Sequence, residues 1–162
     1  MTQDVRENPF WDYSLATYEH RGVAELCLQL QDEWGMDVNL VLYAAWLATL
    51  QQSLSAAHLD QLSGIVAPWR DGVLRPLREA RRAAAGVPDM THFYDQLKSV
   101  ELRAEQHQQL LMYQAYLDAR PPVEATPSLR QNLNLLAAGD EGCAPLLASL
   151  AATLIECQPD LV

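Results

Sequence analysis

The sequence is poor in the residue patterns that build metal and redox sites. Its 162 residues include three cysteines and four histidines, with no C-x-x-C, no H-x-x-x-H and no Glu-x-x-His spacing. Zinc sites, thiol pairs and di-iron bundles need such spacings because their ligands must converge on one point. We therefore expect no metal or other cofactor. We also expect reduced cysteines, as in a cytoplasmic protein.

Motifs and charge for binding nucleotides, nucleic acids or membranes are missing as well. Neither a G-x-x-x-x-G-K loop, a G-x-G-x-x-G loop nor a G-x-S-x-G nucleophile motif occurs. Eleven basic residues stand against 21 acidic ones, giving a net charge of −10, which repels phosphate backbones. The most apolar stretch, residues 38–50, is shorter than the roughly 20 residues that span a bilayer. We expect neither a nucleic-acid partner nor membrane insertion.

The sequence instead carries the periodicity of helices. No segment alternates polar and apolar residues as a strand does. This pattern predicts an all-α, single-domain bundle of about seven or eight helices over residues 8–157, with one long helix near 91–119. Residues 1–7 are expected to be disordered and 158–162 frayed. Start and stop residues predict helices at about 9–19, 23–34, 38–53, 55–67, 72–85, 91–119, 126–138 and 144–157. Proline 76 should kink the fifth helix or mark its true start.

Aromatic residues are scarce overall but crowd the first helix, in the segment NPFWDYSLATY at residues 8–18. Asn8 is a suitable N-cap and Pro9 a suitable first helical residue. Apolar groups occur on more than one face, so the helix must be covered on most sides. The simplest interpretation is closure of a core against the region of Trp34 and Trp46, with 38–53 as the central helix. A buried Asn39 would tie the helices together.

A ligand pocket is the alternative interpretation of the same region. Aromatic walls around a carboxylate could hold a small molecule, or use Asp12 or Asp37 as an acid or base. Asp37 also fits as the N-cap of the third helix. The candidate ligand-binding residues are Trp11, Asp12, Trp34, Asp37, Asn39, Tyr43 and Trp46.

Two helix surfaces are candidates for binding a protein partner. The first is a cluster of arginines on one side of the fifth helix: Arg75, Arg78, Arg81 and Arg82. Arginine suits recognition of acidic groups, although a solvated face paired with Glu79 and with acids elsewhere is the simpler explanation of the cluster. The second is a coiled-coil-like seam on the long helix, which could support a homodimer. Its members are Phe93, Leu97, Val100, Ala104, His107, Leu111 and Gln114.

Three segments carry a resemblance to a known family. They are NPFW at 8–11, GVAELCLQLQ at 22–31 and DVNLVLYAAW at 37–46, with a looser likeness in LKSVELRAE at 97–105. The sequence resembles a family of small bacterial proteins, mainly proteobacterial, classed as a domain of unknown function. The resemblance implies a bacterial, cytoplasmic, helical protein. It implies no activity, cofactor or catalytic residue.

Two hypotheses about function follow. The leading one is a non-enzymatic interaction or regulatory protein that acts through a helix surface, either the seam or the arginine face. Its motivation is the lack of a catalytic constellation together with segregated charge. The alternative is an enzyme or small-ligand-binding protein with an aromatic-walled acidic pocket formed by the N-terminal helices.

Overall fold

The computed structural model describes residues 7–125 and 129–161, and its regular structure is helical. The predicted all-α fold is therefore confirmed. The β pairing within these ranges consists of one isolated antiparallel bridge between Gln52 and Val123. None of the described helices combines the length and apolarity that crossing a bilayer requires. The α-helices are α1 Pro9–Tyr18, α2 Val23–Trp34, α3 Val38–Thr49, α4 Ala56–Trp69, α5 Arg75–Ala84, α6 Thr91–Asp118, α7 Leu129–Leu136 and α8 Ala144–Cys157.

The helix ends follow the local chemistry of the sequence. The Asn8 side chain accepts a hydrogen bond from the N–H of Trp11 at 3.1 Å, and Pro9 opens α1 as predicted. Asp37 caps α3 through the N–H of Asn39 at 2.9 Å. Gly35 ends α2 with φ +62°, a left-handed conformation that glycine adopts without steric cost. The predicted disordered segment 1–7 and the predicted start of α7 fall largely outside the described residues.

Contacts divide the chain into two units, and the described residues of the first are 7–59, 119–125 and 129–161. Helix α3 is its centre, because every residue from Val38 to Ala48 is buried. Helices α1, α2 and α7 pack against α3, and α8 packs against α2 and α7. Residues Pro159–Leu161, in the tail predicted to fray, form a 3-10 turn that buries Leu161.

The second unit, residues 60–118, contains most of α4, a wide π-type turn at Arg70–Leu74, α5 and α6. The N–H of Arg75 bonds to the carbonyl of Arg70, five residues back. Pro76 explains this widening, because its ring would clash with the carbonyl four residues earlier in a regular helix. Helix α5 thus begins beside Pro76, in agreement with one of the two predictions for this residue. Trp69 Nε1 donates to the carbonyl of Ala104 at 2.9 Å and links this region to α6.

The buried face of α6 differs from the predicted seam. Of the seven seam residues, only Ala104 is buried. Phe93 and Val100 are about half exposed, and the His107 ring lies 4.4 Å from that of Trp69. A homodimer through the seam stays a prediction. The buried α6 residues are Glu101, Ala104, Gln108, Gln109, Met112, Ala115 and Tyr116.

Candidate functional site

Aromatic rings from α1 and α3 form a packed cluster in the first unit. The Phe10 ring lies 5.4 Å from both the Tyr43 and Trp46 rings, and the latter two are 5.8 Å apart. All three side chains are buried. Ring separations of this size bring additional stabilisation beyond burial. Phe10 therefore fills the core against Trp46, one of the two tryptophans that the simpler interpretation of the first helix named, whereas Trp34 lies elsewhere.

A buried hydrogen bond extends this cluster. The Tyr43 hydroxyl lies 2.8 Å from His58 Nε2, and the two rings stack at 5.8 Å. Burial lowers the pKa of His58 below its ordinary value of 6.5, so the ring is neutral at physiological pH. In the tautomer whose Nε2 carries no hydrogen, Nε2 accepts the hydrogen of the Tyr43 hydroxyl. No sequence motif indicates this pair, since its members are fifteen positions apart.

The other predicted pocket residues lie in different surroundings. Asp12 is exposed and Trp11 is half-buried on α1. Asp37 serves as the cap of α3, and Asn39 is buried in the first turn of that helix. Trp34 lies at the end of α2 beside Gly142 and is 37% exposed. The two carboxylates therefore do not share the buried environment of the ring cluster.

The arginine face of α5 is partly engaged within the second unit. Arg78 pairs with Glu105 at 3.0 Å and with Glu101 at 3.4 Å. Arg81 Nε pairs with Glu101, whose side chain is almost buried. These pairs bind α5 to α6, and a shallow groove of about 580 Å³ lies beside them. Arg75 and Arg82 are exposed, and Arg75 lies 3.5 Å from Asp71.

Large apolar side chains are exposed at the beginning of α6 and just before it. Four of them, which we call the α6 strip, each expose 44–50% of their surface. Single exposed apolar residues are common on proteins, whereas a local group of them is a candidate binding surface. The strip consists of Val87, Met90, Phe93 and Val100.

A small pocket in the first unit was not predicted as such. It has a volume of about 360 Å³ and is lined by α1, α3 and the C-terminal turn. Tyr13 and Gln158, two of its lining residues, form a hydrogen bond of 3.3 Å across 145 positions of sequence. Such distant pairs cannot be read from local patterns. The lining residues are Tyr13, Trp46, Thr49, Gln158, Asp160 and Leu161.

No group of three or more histidine, cysteine or acidic side chains that could hold a metal ion occurs within residues 7–125 and 129–161. Cys27 and Cys143 are buried free thiols, and Cys157 is partly buried. Burial raises the pKa of the Cys27 thiol to about 12, so this thiol is not an activated nucleophile.

Comparison with known proteins identifies the family. A family model described as "Protein of unknown function (DUF2390)" matches residues 9–112. The chain belongs to this family. No curated protein and no solved structure gave a significant match. The expected membership in a family of unknown function is thereby confirmed.

The region that matches DUF2390 contains some of the features described above and excludes others. The ring cluster, the arginine face and the α6 strip all fall within residues 9–112. The C-terminal wall of the small pocket, at Gln158 to Leu161, lies outside the matched region. The pocket therefore combines DUF2390 residues with residues from the C-terminal part of this chain.

Proposed function

We propose that this DUF2390 member is a non-enzymatic interaction protein of the bacterial cytoplasm that binds an acidic, amphipathic helix of a protein partner on its second unit. The α6 strip would receive the apolar face of that helix. The observation that carries this proposal is the local exposure of four large apolar side chains on one short stretch of the chain. A helix that docks in this way presents apolar residues at intervals of three or four positions.

The spacing of the strip supports a helical partner. Phe93 and Val100 are seven positions apart and lie on one face of α6, with half-buried Leu97 between them. Val87 and Met90 extend the apolar surface into the preceding turn. From Phe93 to Val100 the strip covers about two helical turns, or roughly 10 Å, a length that two turns of a partner helix would match. We therefore favour a helical segment over a second copy of the chain.

Charge supports an acidic partner. Residues 60–118 carry seven basic and eight acidic residues, whereas the remaining sequence carries four basic and thirteen acidic ones. The second unit is thus nearly neutral in a strongly acidic chain. Arg75, Arg82 and Arg103 are exposed on it. An acidic segment would meet less repulsion here than elsewhere on the protein.

Two further observations support this proposal. The first favours binding over catalysis, and the second favours a cytoplasmic location. The rings that could have walled a catalytic pocket pack against one another, and Asp12 is exposed. The three cysteines are free thiols, which is the usual state in a reducing compartment. The resemblance to small proteobacterial proteins supports a bacterial origin.

The test uses two labelled helical peptides of about 14 residues, or four turns. Both carry leucines at helical spacing, and one has glutamates and the other lysines on the remaining face. Fluorescence anisotropy should give a Kd below about 100 µM for the acidic peptide and at least tenfold weaker binding for the basic one. The double variant Phe93→Ser/Val100→Ser should weaken binding at least tenfold. Arg103→Glu should weaken binding of the acidic peptide only.

Val123→Ser is the matched control, because Val123 is 69% exposed and lies in the other unit. Equal effects of the control and the strip variant would contradict the proposal, as would equal affinity for the two peptides. Sedimentation of the protein alone tests the remaining possibility. A dimer that dissociates in the strip variant, without peptide binding, would assign the strip to a second copy and overturn the acidic-helix proposal.

A further inference from the structure

The small pocket of the first unit combines aromatic walls with oxygen acceptors. Tyr13 and Trp46 supply rings, and Leu161 adds an apolar contact. Thr49 and Asp160 supply oxygen atoms. Its volume of about 360 Å³ lies within the range of small-ligand sites. These properties define which kind of ligand the pocket would accept.

The hydroxyl groups of the pocket have already used their hydrogens. The Tyr13 hydroxyl donates to Gln158 Oε1 at 3.3 Å, and the Thr49 hydroxyl donates to the carbonyl of Trp46 at 2.6 Å. Each hydroxyl carries one hydrogen, so neither group has a hydrogen left to donate to a ligand. The Tyr13 oxygen is also hydrogen-bonded by Thr17, whereas the Thr49 oxygen can accept from a ligand. Burial raises the pKa of Tyr13 to about 12, which keeps its hydrogen in place at neutral pH. The pocket is therefore rich in acceptors.

Asp160 is the charged residue among the described residues that line the pocket. This described lining contains no lysine, arginine or histidine. The sequence outside residues 60–118 also carries thirteen acidic residues against four basic ones. The Asp160 carboxylate would repel a ligand carboxylate or phosphate and would attract a cation.

We propose that this pocket binds a small organic ammonium ion. A primary ammonium group would donate its hydrogens to the Asp160 carboxylate and to the Thr49 hydroxyl oxygen. The hydrocarbon part of the ligand would contact Leu161 and the rings, which also favour a nearby cation. This site shares only Trp46 with the pocket predicted from the sequence. It lies in a different unit from the α6 strip, so the failure of one proposal would not affect the other.

Titration of the full chain with 2-phenylethylamine tests the site, and 2-phenylethanol serves as the neutral ligand of the same shape. Indole N–H resonances in ¹H–¹⁵N spectra report binding, and Trp46→Phe identifies the resonance of Trp46. The amine should shift this resonance saturably with a Kd below about 1 mM. The alcohol should bind at least tenfold more weakly. Raising the salt concentration should weaken amine binding.

Asp160→Asn removes the charge while keeping the shape, and it should weaken amine binding at least about tenfold. Glu25→Gln is the matched control, because Glu25 is an exposed acid on α2. This control removes the same amount of charge and should leave the Kd within about twofold. No saturable shift up to about 10 mM amine would overturn the proposal. Equal affinities for amine and alcohol, or equal effects of the two variants, would also overturn it.

Discussion

Asn132 on α7 ties this helix to the end of α3, and replacing it by aspartate tests that role. Its Nδ2 group donates to the carbonyls of Ala44 at 3.1 Å and Gln52 at 3.0 Å. Its Oδ1 accepts from the N–H of Leu54 at 2.9 Å. The side chain is fully buried. Since aspartate has nearly the same shape as asparagine, N132D changes the hydrogen bonds without opening a cavity.

The expected loss of stability is large. Two donated hydrogen bonds are lost, each with a net contribution of about 1 kcal/mol. The new carboxylate oxygen also faces two carbonyl oxygens in a buried site, where an unpaired charge is costly. Together these effects should lower the free energy of unfolding by about 3–5 kcal/mol at neutral pH. Domains of this size typically have a total of about 5–15 kcal/mol, so much of the stability would be lost.

The pH dependence distinguishes this mechanism from a packing defect. Burial should raise the folded-state pKa of the introduced carboxyl above its unfolded value of about 3.9. A raised folded pKa gives stability that is lost as pH rises, so the penalty should shrink as pH falls. Urea unfolding followed by circular dichroism should show a penalty at least 1 kcal/mol smaller at about pH 5.5 than at about pH 7.5. Exposed Asn134 on the same helix provides the control N134D, expected within about 0.5 kcal/mol of wild type. A pH-independent penalty, or equal stability of the two variants, would refute the reasoning.

Three further changes have definite expected outcomes. Because the pKa of His58 is lowered, folding favours its neutral form, so the free energy of unfolding should fall as pH drops below 6.5. Urea titrations at a series of pH values should show that the free energy of unfolding depends less on pH in H58Q than in the wild type. An unchanged pH dependence in H58Q would contradict this assignment. Glu101→Gln removes the charge between Arg78 and Arg81 and should lower the free energy of unfolding by about 2 kcal/mol. Glu105→Gln, at a more exposed position, should lower it by at most about 1 kcal/mol. Equal decreases of the melting temperature in the two variants would argue against a Glu101 carboxylate shared by Arg78 and Arg81. A Cβ at Gly142 would lie 2.8 Å from Trp34 Cζ3, so G142A should cost about 1 kcal/mol, and a double-mutant cycle should show that W34A removes this cost.

Local chemistry was sufficient to predict where most helices begin. Caps at Asn8 and Asp37 fixed the starts of α1 and α3, and α8 has the predicted bounds Ala144–Cys157. The end of α3 was predicted four residues too late. The chain turns there with φ +55° at Gln51, a left-handed conformation at a residue type that gives no warning of it. Helix ends without glycine or proline are therefore the least predictable boundaries.

The candidate sites were less predictable because they depend on contacts distant in sequence. Helical spacing placed the arginines on one face but could not show that Arg78 and Arg81 would meet α6 acids. That meeting follows from the antiparallel packing of α5 on α6, in which Arg78 pairs with Glu105 and Arg81 with Glu101. The contact between Tyr13 and Gln158 likewise depends on tertiary packing. Periodicity identifies the residues on a face, whereas the opposing element decides what that face does.

The distribution of charge suggests why two binding surfaces of opposite preference could coexist in one small chain. A net charge of −10 spread evenly would repel every acidic partner. Here the excess of acid lies outside residues 60–118, and that segment holds seven of the eleven basic residues. Internal pairing uses Arg78 and Arg81 to hold the α5–α6 hairpin together, while the exposed Arg75 and Arg82 contribute to the surface field. A cation should accordingly be drawn to the first unit and an acidic helix to the second, and both attractions should weaken with added salt because the charges involved are exposed.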